Sequence, residues 1–290
     1  MTSTNSHEDT SAASSPEPHT TCELVDRRYG TEFAGPLAEG TETIDLQLRH
    51  RSVRKFLPAE VTDAQLELII AAAQSGSQSS NLQVWSVVAV RDQARKERIS
   101  KALGGHPYIE NCSVFLVWTA DFNRNSRIVE AKHGTDVDSV GYLENTLVSF
   151  VDSGIAGQNA LLAAESLGLG GVFVGSVRNN PLEVATELKL PEYVFPVVGL
   201  AIGVPDPTER ASTKPRLPQR AVLHHEEYDA EAWESASAEY EEHLAEYYAD
   251  YGRENYSWAF TLNRRIGSVE GMHGRHRIRE WLAAQGFDSE

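Results

Sequence analysis

The chain reads as a layered domain of alternating strands and helices, an α/β or α+β architecture, on three observations. Strand-length apolar runs alternate with stretches of helical periodicity from about Thr43 to the end, in the order βαβαβαβ. One run, Cys112 to Ala120, is apolar with hardly a break, as a strand covered on both faces requires. One helical stretch, Val140 to Leu167, is far longer than an average helix. With 290 residues, of which 41% are hydrophobic, the chain is long enough for a substantial core.

Residues Met1 to about Pro18 are rich in Ser, Thr, Glu and Pro, a composition that cannot build a core. His19 to Gly40 is transitional and carries Tyr29, Phe33 and Leu37. Residues 1–40 are therefore expected to be a disordered or loosely attached leader, and 41–290 the folded domain, with a C-terminal helical excursion from about 226. Thr62 with Gln65 makes a capping box, and Leu66, Ile69, Ile70 and Ala73 repeat behind it at helical spacing. The Ser/Gly/Gln-rich stretch Gln74 to Asn81 is a loop, and Val84 to Val90 a strand. A polar helix from Arg91 to Leu103 ends at Gly104-Gly105, before the apolar strand from Cys112 to Ala120.

In the long helix Leu143, Leu147, Phe150, Val151, Ile155, Ala156, Ala160 and Ala163 return on one side. At 1.5 Å per residue it spans about 40 Å, so it is a central spine or part of a subunit interface. Glycine caps it at Gly168-Leu169-Gly170-Gly171. A strand from Val172 to Val177, a helix from Pro181 to Leu190 and a strand from Pro196 to Gly203 follow. An acidic helix over Ala230 to Tyr248 and a last one near Arg275 to Gln285 close the chain.

Lys and Arg number 26 against 42 Asp and Glu, a net charge of −16, which argues against nucleic acid and anionic membrane surfaces as partners. Ten carboxylates and no Lys or Arg lie between Glu226 and Asp250, a solvated helix face. Cys22 and Cys112 form no CxxC pair and no disulfide framework, consistent with a reduced, cytoplasmic protein. No apolar run spans a bilayer. There is no GxxxxGK[ST], no HExxH, no zinc-like Cys/His spacing and no GxSxG, so no metal site is expected. The glycines after the long helix sit at a helix-to-strand junction, the reverse of a dinucleotide-binding turn.

What remains is a scattered anion site. His50-Arg51-Ser52-Val53-Arg54 puts two guanidinium groups, an imidazole and a hydroxyl within five residues, and Lys214-Pro215-Arg216 adds two cations far downstream. Guanidinium forks match phosphate oxygens bidentately. Gln78, Ser79, Ser80, Asn81 and Gln83 supply amides and hydroxyls. Val174, Gly175 and Ser176 lie on a strand whose glycine lets a ligand approach the backbone. Together these suit a planar cofactor with a phosphate tail.

Several separated motifs resemble the nitroreductase family of flavoproteins, in its larger, NADPH-preferring subgroup. They are His50-Arg51-Ser52-Val53-Arg54-Lys55-Phe56, Ser79-Ser80-Asn81-Leu82-Gln83, Ala120-Asp121-Phe122-Asn123-Arg124, the run from Gln158 to Val172, Arg178-Asn179-Asn180, and Lys214-Pro215-Arg216-Leu217-Pro218. The resemblance runs from about Ile44 to Phe287. It implies a mixed, mainly antiparallel sheet flanked by helices in a domain-interlocked homodimer, with FMN as cofactor and NADPH or NADH as electron donor. The implied reaction is a ping-pong two-electron reduction of nitroaromatics, quinones or free flavin. A dedicated flavin or quinone reductase, or a flavin-binding storage or sensing protein without turnover, are the alternatives.

Carried over by resemblance, His50, Arg51, Ser52, Arg54, Lys214 and Arg216 hold the phosphate end. Gln78, Ser79, Ser80 and Gln83 reach the ring or ribityl chain, and Val174, Gly175 and Ser176 lie at the ring edge. His106 and Tyr108 stand where the family places polar contacts to flavin. Flavin N5 carries the hydride, so no side chain is named as catalytic. Arg275 matches one arginine that grips the NADPH 2′-phosphate, whereas Tyr251 replaces another. NADPH is expected to beat NADH through Arg275. In Arg275→Ala the ratio of kcat/KM for the two nucleotides should fall by the worth of one charge-assisted contact, about 1–3 kcal/mol. A wild-type ratio in that variant would remove Arg275 from the role.

Overall fold

The computed structural model describes residues 20–30 and 37–288. The disorder expected for 1–18, and the position of Phe33, lie outside them. Among the described residues the helices are α1 (Thr21–Tyr29), α2 (Glu42–Arg49), α3 (Asp63–Gln74), α4 (Gln93–Ala102), α5 (Pro107–Asn111), α6 (Asn123–His133), α7 (Leu143–Ser166), α8 (Pro181–Leu188), α9 (Trp233–Ala249), α10 (Trp258–Ile266) and α11 (Ile278–Ala283). The strands are β1 (Trp85–Val90), β2 (Val114–Asp121), β3 (Gly170–Val174) and β4 (Val194–Gly203). No described helix is long and apolar enough to cross a membrane.

The four strands form one sheet in the order β1-β2-β4-β3, and every described pair is antiparallel. All eight residues of β2 are buried, because helices cover both faces. Alternation sorts its side chains. Val114, Leu116 and Trp118 meet Ile69 and Ala73 of α3 and Ala156, Ala160, Leu161 and Ala164 of α7. Phe115 and Val117 point the other way, into a cluster with Ile99 of α4, Ile109 of α5 and Val184 of α8. Truncating a side chain as enclosed as Trp118 costs about 3–5 kcal/mol.

The long helix has the predicted place but not the predicted face. Its buried side is small and polar, with Ser149, Asp152, Ser153, Ala156, Gly157, Ala160 and Ala164. Leu143, Leu147, Val151 and Ile155 are exposed, so they do not share a side with Ala156 and Ala160. Small residues let α7 lie close on the sheet, where a Cβ at Gly157 would come 3.1 Å from the Phe173 ring. The large apolar residues form a separate row at fourfold spacing on the outer side.

Other differences are local. The strand expected over Val172 to Val177 starts at Gly170 and ends at Val174, and Gly175–Arg178 is a 3-10 turn. Ser176 therefore lies in that turn. The last helix is a 3-10 turn, Arg275–Arg277, followed by α11. Part of the leader is a capped helix, since Thr20 and Glu23 form a capping box for α1. Leu24, Val25 and Arg28 of α1 are buried, so this stretch is packed on the body. Leader composition reports average polarity and misses one short amphipathic helix within it.

Two glycines let the chain from His50 to Leu57 lie along the sheet edge. A Cβ at Gly170 would stand 2.6 Å from Val53 Cγ2, and one at Gly203 would stand 2.8 Å from Phe56 Cδ1. Gly203→Ala should therefore push Phe56 out of its place at an overpacking cost of about 1–3 kcal/mol. The measurement is thermal unfolding; an unchanged melting temperature would show that this close approach does not hold the segment.

Candidate flavin-binding site

The basic pentamer is an edge segment. Val53 N–H donates to Gly171 O at 3.0 Å, Leu57 N–H donates to Val204 O at 2.9 Å, and Phe56 bridges Pro205. Val53 and Phe56 turn into the core, which leaves Arg51, Ser52 and Arg54 free to face a cavity of about 120 Å³. Arg28, His50, Lys214, Arg216 and Tyr247 complete its lining, with Ala211 and Ser212.

Neighbours fix these groups. His50 Nδ1 lies 2.5 Å from Glu165 Oε1 on α7. Arg51 pairs with Glu209 at 3.3 Å, and the same carboxylate accepts from Arg54 N–H at 2.9 Å. Lys214 Nζ donates to the Tyr248 hydroxyl at 3.0 Å. Burial pushes that phenol up, but the hydrogen bond and charge of Lys214 outweigh it and hold Tyr248 below its ordinary range. Among the described residues no carboxylate forms an ion pair with Arg28, Arg54, Lys214 or Arg216. Four cations around one small cavity are thus short of negative charge in a chain whose net charge is −16. An anion with several oxygens suits that deficit.

Arg28 is a cavity residue that sequence reasoning missed. Burial and the charge of Arg216 push its guanidinium down to about 10. The signal that could have found it is the Thr20/Glu23 capping box followed by Arg27-Arg28.

Several other polar atoms are buried without partners among the described residues. Gln78 Oε1, His106 Nε2 and Ser176 Oγ have none there, and an unsatisfied buried group costs about 1–3 kcal/mol unless a ligand meets it. His106 stacks on Tyr108 at 5.2 Å between centroids. Burial raises the Tyr108 phenol while the Arg54 charge opposes the rise. Val174 is buried and Gly175 opens the following turn. A Cβ at Gly175 would meet nothing nearer than Arg178 Nη2 at 3.6 Å, so the backbone there is open to a planar group. These residues fit a phosphorylated, ring-bearing cofactor such as FMN.

The loop at Gln78–Gln83 is strained and tightly held. Ser80, Asn81 and Gln83 have φ of 47°, 54° and 53°, in the left-handed region that costs non-glycine residues about 1–3 kcal/mol each. Buried Asp152 accepts from Ser79 N–H at 3.3 Å. Arg124 donates to the carbonyls of Gln83 and Trp85, and Asn125 donates to Leu82 O at 2.7 Å. Asp121 accepts from Arg124 N–H at 3.2 Å, so the motif from Ala120 to Arg124 is the buttress of this loop. Neither Asp152 nor Asn125 was legible as a site-positioning residue, because each acts across a tertiary contact.

Not every predicted site residue comes together within one chain. His50 docks on α7 at Glu165 and Ser79 at Asp152, thirteen residues apart and about 20 Å along the helix. Tyr251 and Arg275 also part company. The Tyr251 hydroxyl donates to Ser212 Oγ at 2.8 Å on the rim of the anion cavity, and Arg275 Nε donates to Asn179 Oδ1 at 2.8 Å. Burial lowers the Arg275 guanidinium, and Arg178 and Arg265 add like charge nearby.

A model of the nitroreductase family matches residues 48–204, and a model of its C-terminal domain matches 214–290. The chain belongs to the nitroreductase family. An FMN reductase [NAD(P)H] of Bacillus subtilis (strain 168) is 42% identical over 252 residues, covering 86% of this chain and 99% of the relative. An oxygen-insensitive NADPH nitroreductase of Salmonella typhimurium is 40% identical, covering 84% and 98% respectively. The solved structure of the hypothetical oxidoreductase YcnD from Bacillus subtilis superposes with a TM-score of 0.82 at 40% identity, over 87% of this chain and all of that one. The NADPH:FMN oxidoreductase from Vibrio harveyi complexed with NAD+ superposes with a TM-score of 0.75 at 34% identity, over 86% of this chain and all of that one. In this nitroreductase, once bound flavin has been removed, inorganic phosphate should raise the melting temperature beyond the effect of chloride at equal ionic strength, and Arg54→Ala should remove most of the rise. No response to phosphate in the wild type would mean that the cavity is not an anion site.

Proposed function

We propose that this nitroreductase is an FMN-dependent oxidoreductase that uses NADPH, or NADH, to reduce nitroaromatics, quinones or free flavin in a ping-pong cycle. The observation that carries the proposal is the cavity in which Arg54, Lys214 and Arg216 lack carboxylate partners among the described residues. When bound, FMN supplies the two-electron chemistry, accepting hydride from a nicotinamide and passing it to the acceptor. The chain's own part is to hold and orient. Ser52, Arg54, Lys214 and Arg216 hold the phosphate, and Val53 and Phe56 anchor the extended segment that carries Ser52 and Arg54. Val174 and Gly175 present backbone at the ring edge. The names of the relatives, FMN reductase and NADPH nitroreductase, support an enzyme over a storage or sensing module.

A homodimer is part of the proposal. Leu143, Leu147, Val151 and Ile155 form an exposed apolar row on the outer side of α7. The Gln78–Gln83 loop stands about 20 Å along α7 from the His50 anchor, too far to meet the same ring edge easily within one chain. A second copy packed on the apolar row would bring its loop to the first copy's cavity. Burial of four such side chains contributes roughly 1.5–3 kcal/mol each. A cytoplasmic setting is proposed from the cysteines: both are free, and burial pushes the Cys112 thiol up to about 12, leaving it inert.

The purified protein should be yellow and release FMN rather than FAD on heating, with a sedimentation mass of two 32.0 kDa chains. A colourless protein that cannot be loaded with FMN would sink the cofactor assignment. A single-chain mass with FMN bound would sink the dimer alone.

A further inference from the structure

Arg28 belongs to a helix that the family match does not cover. The family models start at residue 48 and run to 290, and the Bacillus subtilis FMN reductase spends 99% of its own length on 86% of this chain. The uncovered part therefore precedes the family domain, and α1 lies in it. Yet Arg28 is only 5% exposed. Its guanidinium donates to Lys214 O at 3.0 Å, Leu48 O at 2.9 Å and His50 O at 2.6 Å. Its own carbonyl accepts from Arg216 N–H at 2.7 Å. Four hydrogen bonds tie both cationic arms of the cavity, far apart in sequence, to one residue.

We propose that α1, outside the matched family domain, is a clamp, and that Arg28 is a positioning residue that sets the spacing of the His50–Arg54 and Lys214–Arg216 arms so that they close on one phosphate. The proposal rests on the reading of the cavity as the phosphate end of the flavin site. Carbonyl dipoles satisfy the donors of Arg28 but do not neutralise its charge. Glu165 helps only at a distance, and Arg216 stands against it. A phosphate in the cavity supplies the missing negative charge. Docking of α1 and binding of phosphate therefore stabilise each other, and the coupling is reciprocal. The helix has other holds. Thr21 Oγ1 donates to Asp45 Oδ1 at 2.7 Å, and Gly30 packs on His243 of α9 so tightly that a Cβ would lie 2.6 Å from the ring. Loss of the Arg28 side chain thus leaves α1 with anchors at both ends.

The test compares the affinities of FMN and of riboflavin, which lacks the phosphate, for the full-length wild type, Arg28→Ala, Arg28→Lys and Arg54→Ala. Arg28→Ala should lower the preference for FMN at least tenfold, with Arg28→Lys restoring part of it. A merely structural role weakens both flavins alike. An unchanged ratio in Arg28→Ala, with a fallen ratio in Arg54→Ala, overturns the clamp and leaves the phosphate site standing. An unchanged ratio in both overturns the phosphate site and the clamp with it. Should Arg28→Ala fail to fold, trypsin cleavage of the wild type after Arg27 and Arg28 decides. It should run at least tenfold slower with FMN bound than with riboflavin bound, and equal rates overturn the clamp.

Discussion

The register of eight residues, His50 to Leu57, against the edge of the sheet is the constraint on which the site depends. Three backbone hydrogen bonds set it: Val53 N–H donates to Gly171 O, Leu57 N–H to Val204 O, and Asp206 N–H to Lys55 O. Two missing side chains permit it, at Gly170 and Gly203, where Val53 and Phe56 sink into the core. Once Val53 points inward, the extended backbone sends its neighbours Ser52 and Arg54 the other way. A slip of one residue would bury an arginine and expose the valine, so hydrophobic burial of Val53 decides where those two side chains stand.

Charge then does what burial cannot. Holding several cations around a small cavity is unfavourable unless each is tied down or an anion is present. Glu165 and Glu209 tie down His50 and Arg51. Among the described residues Arg54, Lys214 and Arg216 have no carboxylate partner, and Arg28 donates to the carbonyls of Leu48, His50 and Lys214. The net charge of −16 makes the cavity a local exception, and that contrast favours an anion there.

The helix α7 carries two opposite surfaces. Toward the sheet it is small and polar, which permits close contact; outward it shows a row of large apolar side chains. Its length separates two anchor points, Glu165 for His50 and Asp152 for the strained Gln78–Gln83 loop. One helix thereby serves as both spine and ruler for the site.

From the sequence alone, the capping box at Thr62, the fully covered strand β2, the extent of α7 and its glycine stop were legible, because each depends on neighbours within a few residues. So was the identity of the cations, since His50 to Arg54 and Lys214 to Arg216 are dense in one chemistry. Sequence distance concealed the rest. Leu147 and Ala156, read as one side, are nine residues apart, which at about 100° per residue is half a turn, so helix geometry itself separates them. Arg124, Asp152 and Arg28 act on partners far along the chain, so no local pattern marks them. Ser176 read as strand until the turn at Gly175 was seen. Short-range propensity determined which residues form each element and which of them carry charge. Tertiary structure decided which charges meet and which polar atoms are left without partners, because those depend on approach across the sheet that no spacing in the sequence encodes.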